Sequence, residues 1–234
     1  AEHDTQPETE LPEEYFSSSY LASNGRAFEY EGQFIYCDQK KPMVWAFGSI
    51  VKYDPTTDKV SSVCLDTSCS HSYGECPLAP PEASGWSIKY MEVFGDWIIY
   101  DYSYAGADKV VWDTPINLYN LKTGEHRIVA QATTSENSYD VPVSYVVINQ
   151  KVYISISSRL LESQKGTGYI VSYDPATDQT TYLCEMPEGM SLIGISSKRF
   201  FFMSSEDGNW STDHKGENLT KEETLDFYPV AVNL

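Results

Sequence analysis

The chain has 234 residues, 41% of them hydrophobic, which is enough to bury a core in one β domain or in a pair of small domains. Its 16 Lys and Arg against 34 Asp and Glu give a formal net charge of -18. Because this charge repels phosphate backbones, nucleic acid is excluded as a partner. No apolar run approaches the length of a membrane span, about 18 residues, so the sequence predicts a globular protein.

The N-terminal segment 1–14 is predicted to be a disordered acidic tail. It carries six acidic side chains and no Lys or Arg, and it has no apolar periodicity that would hold it against a core. The chain does not begin with Met, so we expect that a signal peptide or lipoprotein leader has been removed. The sequence therefore predicts an extracellular protein, for which an N-terminal lipid anchor would be the only contact with a membrane.

A repeated hairpin pattern organises the rest of the chain. Aromatic or β-branched runs, typical of strands, each follow an alternating stretch and a turn, so each pair predicts a hairpin. We expect most of the large side chains of these runs in the core. The runs lie at 34–36, 97–100, 152–154 and 200–202.

A turn motif follows the first three hairpins at a constant offset. It occurs as Tyr53-Asp-Pro-Thr-Thr-Asp58, Tyr119-Asn-Leu-Lys-Thr-Gly124 and Tyr173-Asp-Pro-Ala-Thr-Asp178. The prolines fix the first bend, and Asp or Asn side chains accept hydrogen bonds from the turn's own amides. We therefore interpret the acids of these motifs as turn caps and not as a calcium loop. They are Asp54, Asp58, Asp174 and Asp178.

These signals predict an all-β fold, a β-propeller of four-stranded antiparallel blades in the domain 15–234. The last strand and segment 15–22 would form a shared fifth blade that closes the ring and removes an open sheet edge. The alternative is that the chain is a fragment of a longer propeller. The predicted repeats span roughly 24–64, 86–130, 143–184 and 190–221, and the last strand spans 226–233.

Two motifs resemble those of exported propellers. The segment from Thr212 to Lys221, TDHKGENLTK, resembles the end of TolB-like propeller repeats, with two extra residues between Asp213 and Gly216. The pattern Cys64-x4-Cys69-x-His71-x4-Cys76-Pro resembles a loop of the DUF5050-like lipoproteins of Gram-positive bacteria. The resemblance covers residues 24–234 and implies the propeller fold and export. It implies no catalytic residue.

The cysteines of one loop allow three interpretations: a metal site, a disulfide or reduced thiols. Cys64, Cys69, His71 and Cys76 are metal-ligand types within thirteen residues, and three thiolates with an imidazole can surround Zn²⁺. An oxidising compartment instead favours a disulfide, for which Cys69 to Cys76 is the simplest pairing, with Cys64 free or bonded to Cys37. Reduced thiols are the third reading. Cys184 is interpreted as a small buried hydrophobic residue.

No catalytic constellation is recognisable. The four histidines (His3, His71, His126 and His214) belong to no triad motif, and phosphate-binding glycine loops are absent. Carboxylates around a propeller channel can cleave glycosides, but the acids near predicted strand ends are expected on a solvated rim. These acids are Asp38, Glu92, Asp96 and Asp101.

The leading functional hypothesis is a non-catalytic extracellular propeller that presents loops to a ligand or a protein partner. The rival is a polysaccharide-directed enzyme, or a carbohydrate-binding propeller, that uses channel carboxylates and exposed aromatic rings. A structural zinc is the one cofactor considered. The loop or edge aromatics proposed as ligand-binding are Trp45, Tyr73, Trp86, Trp112 and Trp210, with Tyr104 and Tyr139 as further exposed candidates.

Overall fold

The computed structural model is an all-β structure, as the sequence predicts. Within its described residues, eighteen strands form four antiparallel sheets, and no helix there has the length and hydropathy needed to cross a bilayer. The acidic tail 1–14, the segment 15–22 and the strand predicted at 226–233 lie outside the described residues. The described residues are 27–38, 49–72, 74–81, 86–105, 110–111, 115–135, 138–160, 166–186, 190–195, 199–204, 208–213 and 217–222.

The first two sheets are built from strands that are largely consecutive in the chain. In the first sheet the order is β1-β2-β3-β4, and in the second it is β5-β6-β8-β9 with β7 also paired to β6. The first sheet contains β1 (Ala27–Tyr30), β2 (Gln33–Asp38), β3 (Ser49–Asp54) and β4 (Lys59–Ser62). The second contains β5 (Trp86–Phe94), β6 (Trp97–Ala105), β7 (Val110–Val111), β8 (Ile116–Asn120) and β9 (His126–Ala130).

The last two sheets follow the same up-and-down order. The third sheet, like the second, has five strands rather than the four predicted for each repeat, because a short strand at Thr133 is added outside β11. Its strands are β10 (Thr133–Thr134), β11 (Ser138–Ile148), β12 (Lys151–Leu160), β13 (Gly166–Asp174) and β14 (Gln179–Met186). The fourth contains β15 (Met190–Ile195), β16 (Arg199–Ser204), β17 (Gly208–Asp213) and β18 (Thr220–Glu222).

The predicted turn caps are confirmed in the first and third sheets. Asp54 Oδ1 accepts the Thr56 amide at 2.8 Å, and Asp174 Oδ1 accepts the Ala176 amide at 2.9 Å. The tyrosine that opens each motif donates its hydroxyl to the closing aspartate, Asp58 or Asp178. Both closing aspartates have positive φ, 53° and 55°, a conformation that Asp tolerates better than most residues. The acids therefore shape turns.

Consecutive sheets share buried cores. The first core joins sheets one and two, the second joins sheets two and three, and the third joins sheets three and four. The aromatic runs supply much of this interior, since Tyr100, Phe200 and Phe202 are fully buried. Phe34 is an exception to the prediction because 39% of it is exposed. It alternates with the buried Ile35 along β2, and so it points away from the second sheet.

Candidate metal centre

The cysteine loop, of which residues 64–72 and 74–81 are described, lies in the chain between the first sheet and the second. Three of its backbone groups are held by the two sheets. The Leu65 amide donates to the Tyr119 hydroxyl at 2.7 Å, the Tyr100 hydroxyl donates to the Pro77 carbonyl at 2.7 Å, and the Ile50 amide donates to the Leu78 carbonyl at 3.1 Å. The loop also buries Cys76, Leu78 and Ala79 in the first core. It therefore lies between the two sheets and contacts both.

Side-chain hydrogen bonds shape the part of the loop that carries the candidate ligands. Asp66 Oδ1 accepts the Ser68 amide at 2.8 Å, and the Cys69 amide donates to the Asp66 carbonyl at 3.2 Å. The Glu75 carboxylate accepts hydroxyl hydrogen bonds from Ser70 and Ser72, and these bonds lower its pKa. Short Asp and Ser side chains thus provide hydrogen-bond partners for the loop backbone, which has no regular secondary structure to provide them.

Two backbone positions in the loop have positive φ. His71 has a φ of 53°, which is uncommon for a residue with a Cβ. Gly74 has a φ of +73°, and a Cβ there would lie 2.9 Å from the Pro81 carbonyl oxygen. Only glycine fits at position 74 without a shift of backbone. The resulting tight fold returns the chain from His71 to the buried Cys76.

This fold gathers all four predicted ligand residues. The ligand atoms of Cys64, Cys69, His71 and Cys76 lie within 4.8 Å of one another, and His71 Nδ1 is 4.0 Å from the Cys76 sulfur. Zinc–sulfur bonds of about 2.3 Å place tetrahedral sulfurs about 3.8 Å apart. The ligands would therefore have to approach by only about 1 Å to hold such an ion. The group could hold a metal ion.

The sulfurs differ in their surroundings. Cys76 is buried, Cys64 and Cys69 are half-buried, and His71 is exposed. Burial raises the pKa of the Cys76 thiol to about 12, with smaller contributions from the neighbouring Cys64 and Cys69. The His71 amide points at the Cys69 sulfur, 3.4 Å away, an arrangement that would stabilise a thiolate. A metal ion bound here would have to displace the protons of these thiols.

The predicted Cys69–Cys76 disulfide is not formed, and Cys64 is not bonded to Cys37. Cys64, Cys69 and Cys76 are free thiols. The sulfurs are gathered around a common centre together with the imidazole, instead of being paired in twos. Cys184 lies apart, buried in the core between the third and fourth sheets, and its prediction as a small hydrophobic residue is confirmed.

Two of the acids predicted on a solvated rim belong instead to a tyrosine cluster between the second and third sheets. Asp101 is only 3% exposed, and its Oδ1 accepts the Tyr145 hydroxyl at 3.0 Å. Tyr145 packs edge-on against Tyr90, with 4.7 Å between ring centroids, and the Tyr90 hydroxyl donates to Glu92. Burial and the nearby Asp101 raise the pKa of Tyr145 well above its ordinary value. The rim prediction is therefore wrong for Asp101.

The other two acids lie at strand ends, as predicted. Asp96, in the turn between β5 and β6, accepts the Tyr30 hydroxyl at 2.9 Å and pairs with Lys122 at 3.0 Å. These contacts connect it to the first sheet. Asp38 is the last residue of β2.

The remaining histidines and the proposed ligand-binding aromatics are only partly covered by the structure. His126 lies in β9 as predicted, with Nε2 3.0 Å from Asn117 Oδ1, and desolvation lowers its pKa. Tyr139 is half-buried in β11. The strands β5, β6 and β17 include positions 86, 104 and 210, and ligand binding by Trp86 and Trp210 stays a prediction. Residues outside the described ranges are His3, His214, Trp45, Tyr73 and Trp112.

Comparison with known proteins gives no family assignment. No family model matches the sequence, and no curated protein matches it. Among the solved structures, 16 chains match. One is an oligogalacturonate lyase in complex with manganese, at 11% identity and a TM-score of 0.47. The match covers 81% of this chain and 49% of the lyase, so the chain spans about half the length of that protein. Similarity at this level identifies neither the fold family nor the function.

Proposed function

We propose that this protein is a non-catalytic binding module of the propeller type, stabilised by a structural zinc ion held by Cys64, Cys69, His71 and Cys76. The observation that carries the zinc assignment is the convergence of these four ligand atoms within 4.8 Å. Three thiolates and one imidazole are a ligand set that zinc prefers, whereas magnesium and calcium prefer oxygen ligands.

The ligand count supports a structural role for the zinc. Catalytic zinc keeps one coordination position open for water or substrate, whereas four protein ligands close the tetrahedron. Cys76 belongs to the first core, together with Ile50 of the first sheet and Tyr100 of the second. A zinc ion at this position would fasten the cysteine loop between two sheets. It would also protect the thiolates from oxidation in the extracellular compartment that we propose for the chain.

The order of the sheets supports a propeller-type arrangement. Each sheet follows the previous one in the chain and shares a core with it. In addition, β1 of the first sheet contacts β5 of the second, and β11 of the third sheet contacts β15 of the fourth. Contacts of this kind between strands near the start of neighbouring sheets are expected where sheets are arranged around an axis. In such an arrangement the connecting loops lie at the two ends of the sheets and are available to a partner.

Metal analysis of the purified chain tests the zinc assignment. We expect one zinc per chain after purification under reducing conditions, and loss of that zinc in the Cys64→Ala and Cys76→Ala variants. Cys184→Ala is the matched control, because Cys184 is equally buried but lies in another core. It should keep the zinc.

Two results would overturn the zinc assignment. One is a chain that takes up no zinc when it is supplied to the reduced protein. The other is an intact mass that rises on reduction while metal content stays at zero, which would mean that the cysteines pair as disulfides. Zinc retained in the Cys76→Ala variant would place the ion elsewhere.

A further inference from the structure

A second surface feature lies away from the metal centre, between the second and third sheets. It is a cleft of about 380 Å³, within the size range of small-molecule sites. One wall comes from the end of β9 and the residues after it, including Ile128 and Gln131. The other wall is the face of the third sheet beyond the buried core, where Asp140, Tyr169 and Thr180 lie. We call it the tyrosine cleft.

The tyrosine cleft has an aromatic surface at its margin. Tyr182 lies two residues after Thr180 on the same face of β14, and it packs against Tyr169 with 5.9 Å between ring centroids and 33° between ring planes. Tyr182 is 56% exposed and Ile128 is 52% exposed. An exposed tyrosine ring offers a flat apolar face with a polar tip, which suits the C–H face of a sugar ring.

Polar groups stand beside this aromatic surface. The Asp140 carboxylate accepts hydrogen bonds from the Ser158 hydroxyl and, at 3.2 Å, from the Tyr169 hydroxyl. These two bonds fix its orientation and use about half of its four lone-pair positions, leaving acceptors for the hydroxyl groups of a ligand. The exposed Gln131, Thr133 and Thr180 also line the cleft. Their amide and hydroxyl groups both donate and accept hydrogen bonds.

The charge of the cleft selects among possible ligands. Among the described residues that line it, Asp140 is the only charged one, and none is Lys or Arg. The chain as a whole carries a net charge of -18, so a polyanionic ligand would be repelled. An uncharged ligand with many hydroxyl groups and an apolar ring face matches all of these features.

We infer that the tyrosine cleft binds a neutral saccharide, with Tyr182 and Tyr169 as the stacking surface and Asp140 as the acceptor for sugar hydroxyl groups. This inference rests on the binding role proposed above and names its ligand class. It does not depend on the metal centre, because the described residues that line the cleft lie between Ile128 and Thr180, outside the cysteine loop.

The test is a titration of the full chain with four neutral oligosaccharides, and calorimetry and protein NMR measure the binding. The oligosaccharides are cellohexaose, xylohexaose, mannohexaose and maltohexaose. Polygalacturonate serves as the anionic comparison. We expect at least one neutral oligosaccharide to bind and polygalacturonate not to bind. Tyr182→Ala and Asp140→Asn should each weaken that binding at least tenfold, whereas Tyr182→Phe, which keeps the ring, should weaken it less than Tyr182→Ala does.

Phe34→Ala is the matched control, since Phe34 is an exposed aromatic residue on the first sheet, and it should bind as the parent chain does. The inference is overturned if none of the four oligosaccharides binds, if polygalacturonate binds equally well, or if Tyr182→Ala binds normally. Zinc content is measured on the same samples. If the chain contains zinc but binds no saccharide, only the saccharide inference is contradicted. If it binds saccharide but contains no zinc, only the metal assignment is contradicted.

Discussion

The junction between the first and second sheets differs in construction from the junction between the second and third. At the first junction the cysteine loop is inserted, and its Cys76 and Leu78 provide part of the core. At the second junction strand residues meet directly. Arg127 of β9 stacks on Trp97, 4.7 Å from the ring centroid, and donates to the Tyr173 hydroxyl at 3.0 Å and the Pro175 carbonyl at 2.8 Å.

This difference shows that neighbouring sheets in one chain can be joined in two ways. A junction built from strand side chains needs no group other than the polypeptide. A junction that includes a long loop without regular strands depends on the contacts that hold the loop, here hydrogen bonds from both sheets and, in our proposal, a metal ion. The first junction should therefore respond to metal, and the second should not.

The largest expected effect comes from removing the metal. Treating the zinc-loaded chain with a chelator should lower its melting temperature by about 10 °C, because a loss of about 3 kcal/mol shifts a domain of this size by that amount. Amide exchange should rise at Ile50 and Leu65, whose amides bond across the first junction. Exchange in β11, β12 and β13 should stay unchanged. An equal increase at both junctions would contradict the comparison.

A smaller effect is expected from Tyr145→Phe at the second junction. This change removes a hydroxyl donor to the buried Asp101 carboxylate, which should lower the free energy of unfolding by about 1–3 kcal/mol. The zinc content should not change. Urea unfolding measures the loss, and Tyr182→Phe, at an exposed ring, is the control that should shift it by less than about 0.5 kcal/mol. A metal-dependent effect of Tyr145→Phe would mean that the two junctions are not independent.

The smallest effect concerns Asp96, whose side chain is 42% exposed. Lys122 first, and then Tyr30, lowers the pKa of this carboxyl below its ordinary value of 3.8. A lowered folded-state pKa contributes stability above the unfolded value, and the contribution is lost as pH falls through the folded value. Asp96→Asn should therefore destabilise the chain slightly at neutral pH. In urea melts below pH 3.8, the variant and the parent should converge, and a constant difference would contradict this assignment.

The sequence alone determined the turns and the strand pattern. Asp54 and Asp174 accept hydrogen bonds from amides two residues away, so their role depends only on neighbours along the chain. The alternating aromatic runs likewise specify strands, because the period of a strand is local. The same locality explains why the spacing of Cys64, Cys69, His71 and Cys76 already indicated one candidate group.

The tertiary structure decided what these residues do. The four ligands converge on one centre because Tyr100 and Tyr119, from the second sheet, hold the two ends of the loop. Asp101 is buried because Tyr145 of the third sheet reaches it. The tyrosine cleft likewise joins residues of two sheets. Contacts between sheets depend on how the sheets pack, and the residue pattern within a single strand does not specify that packing.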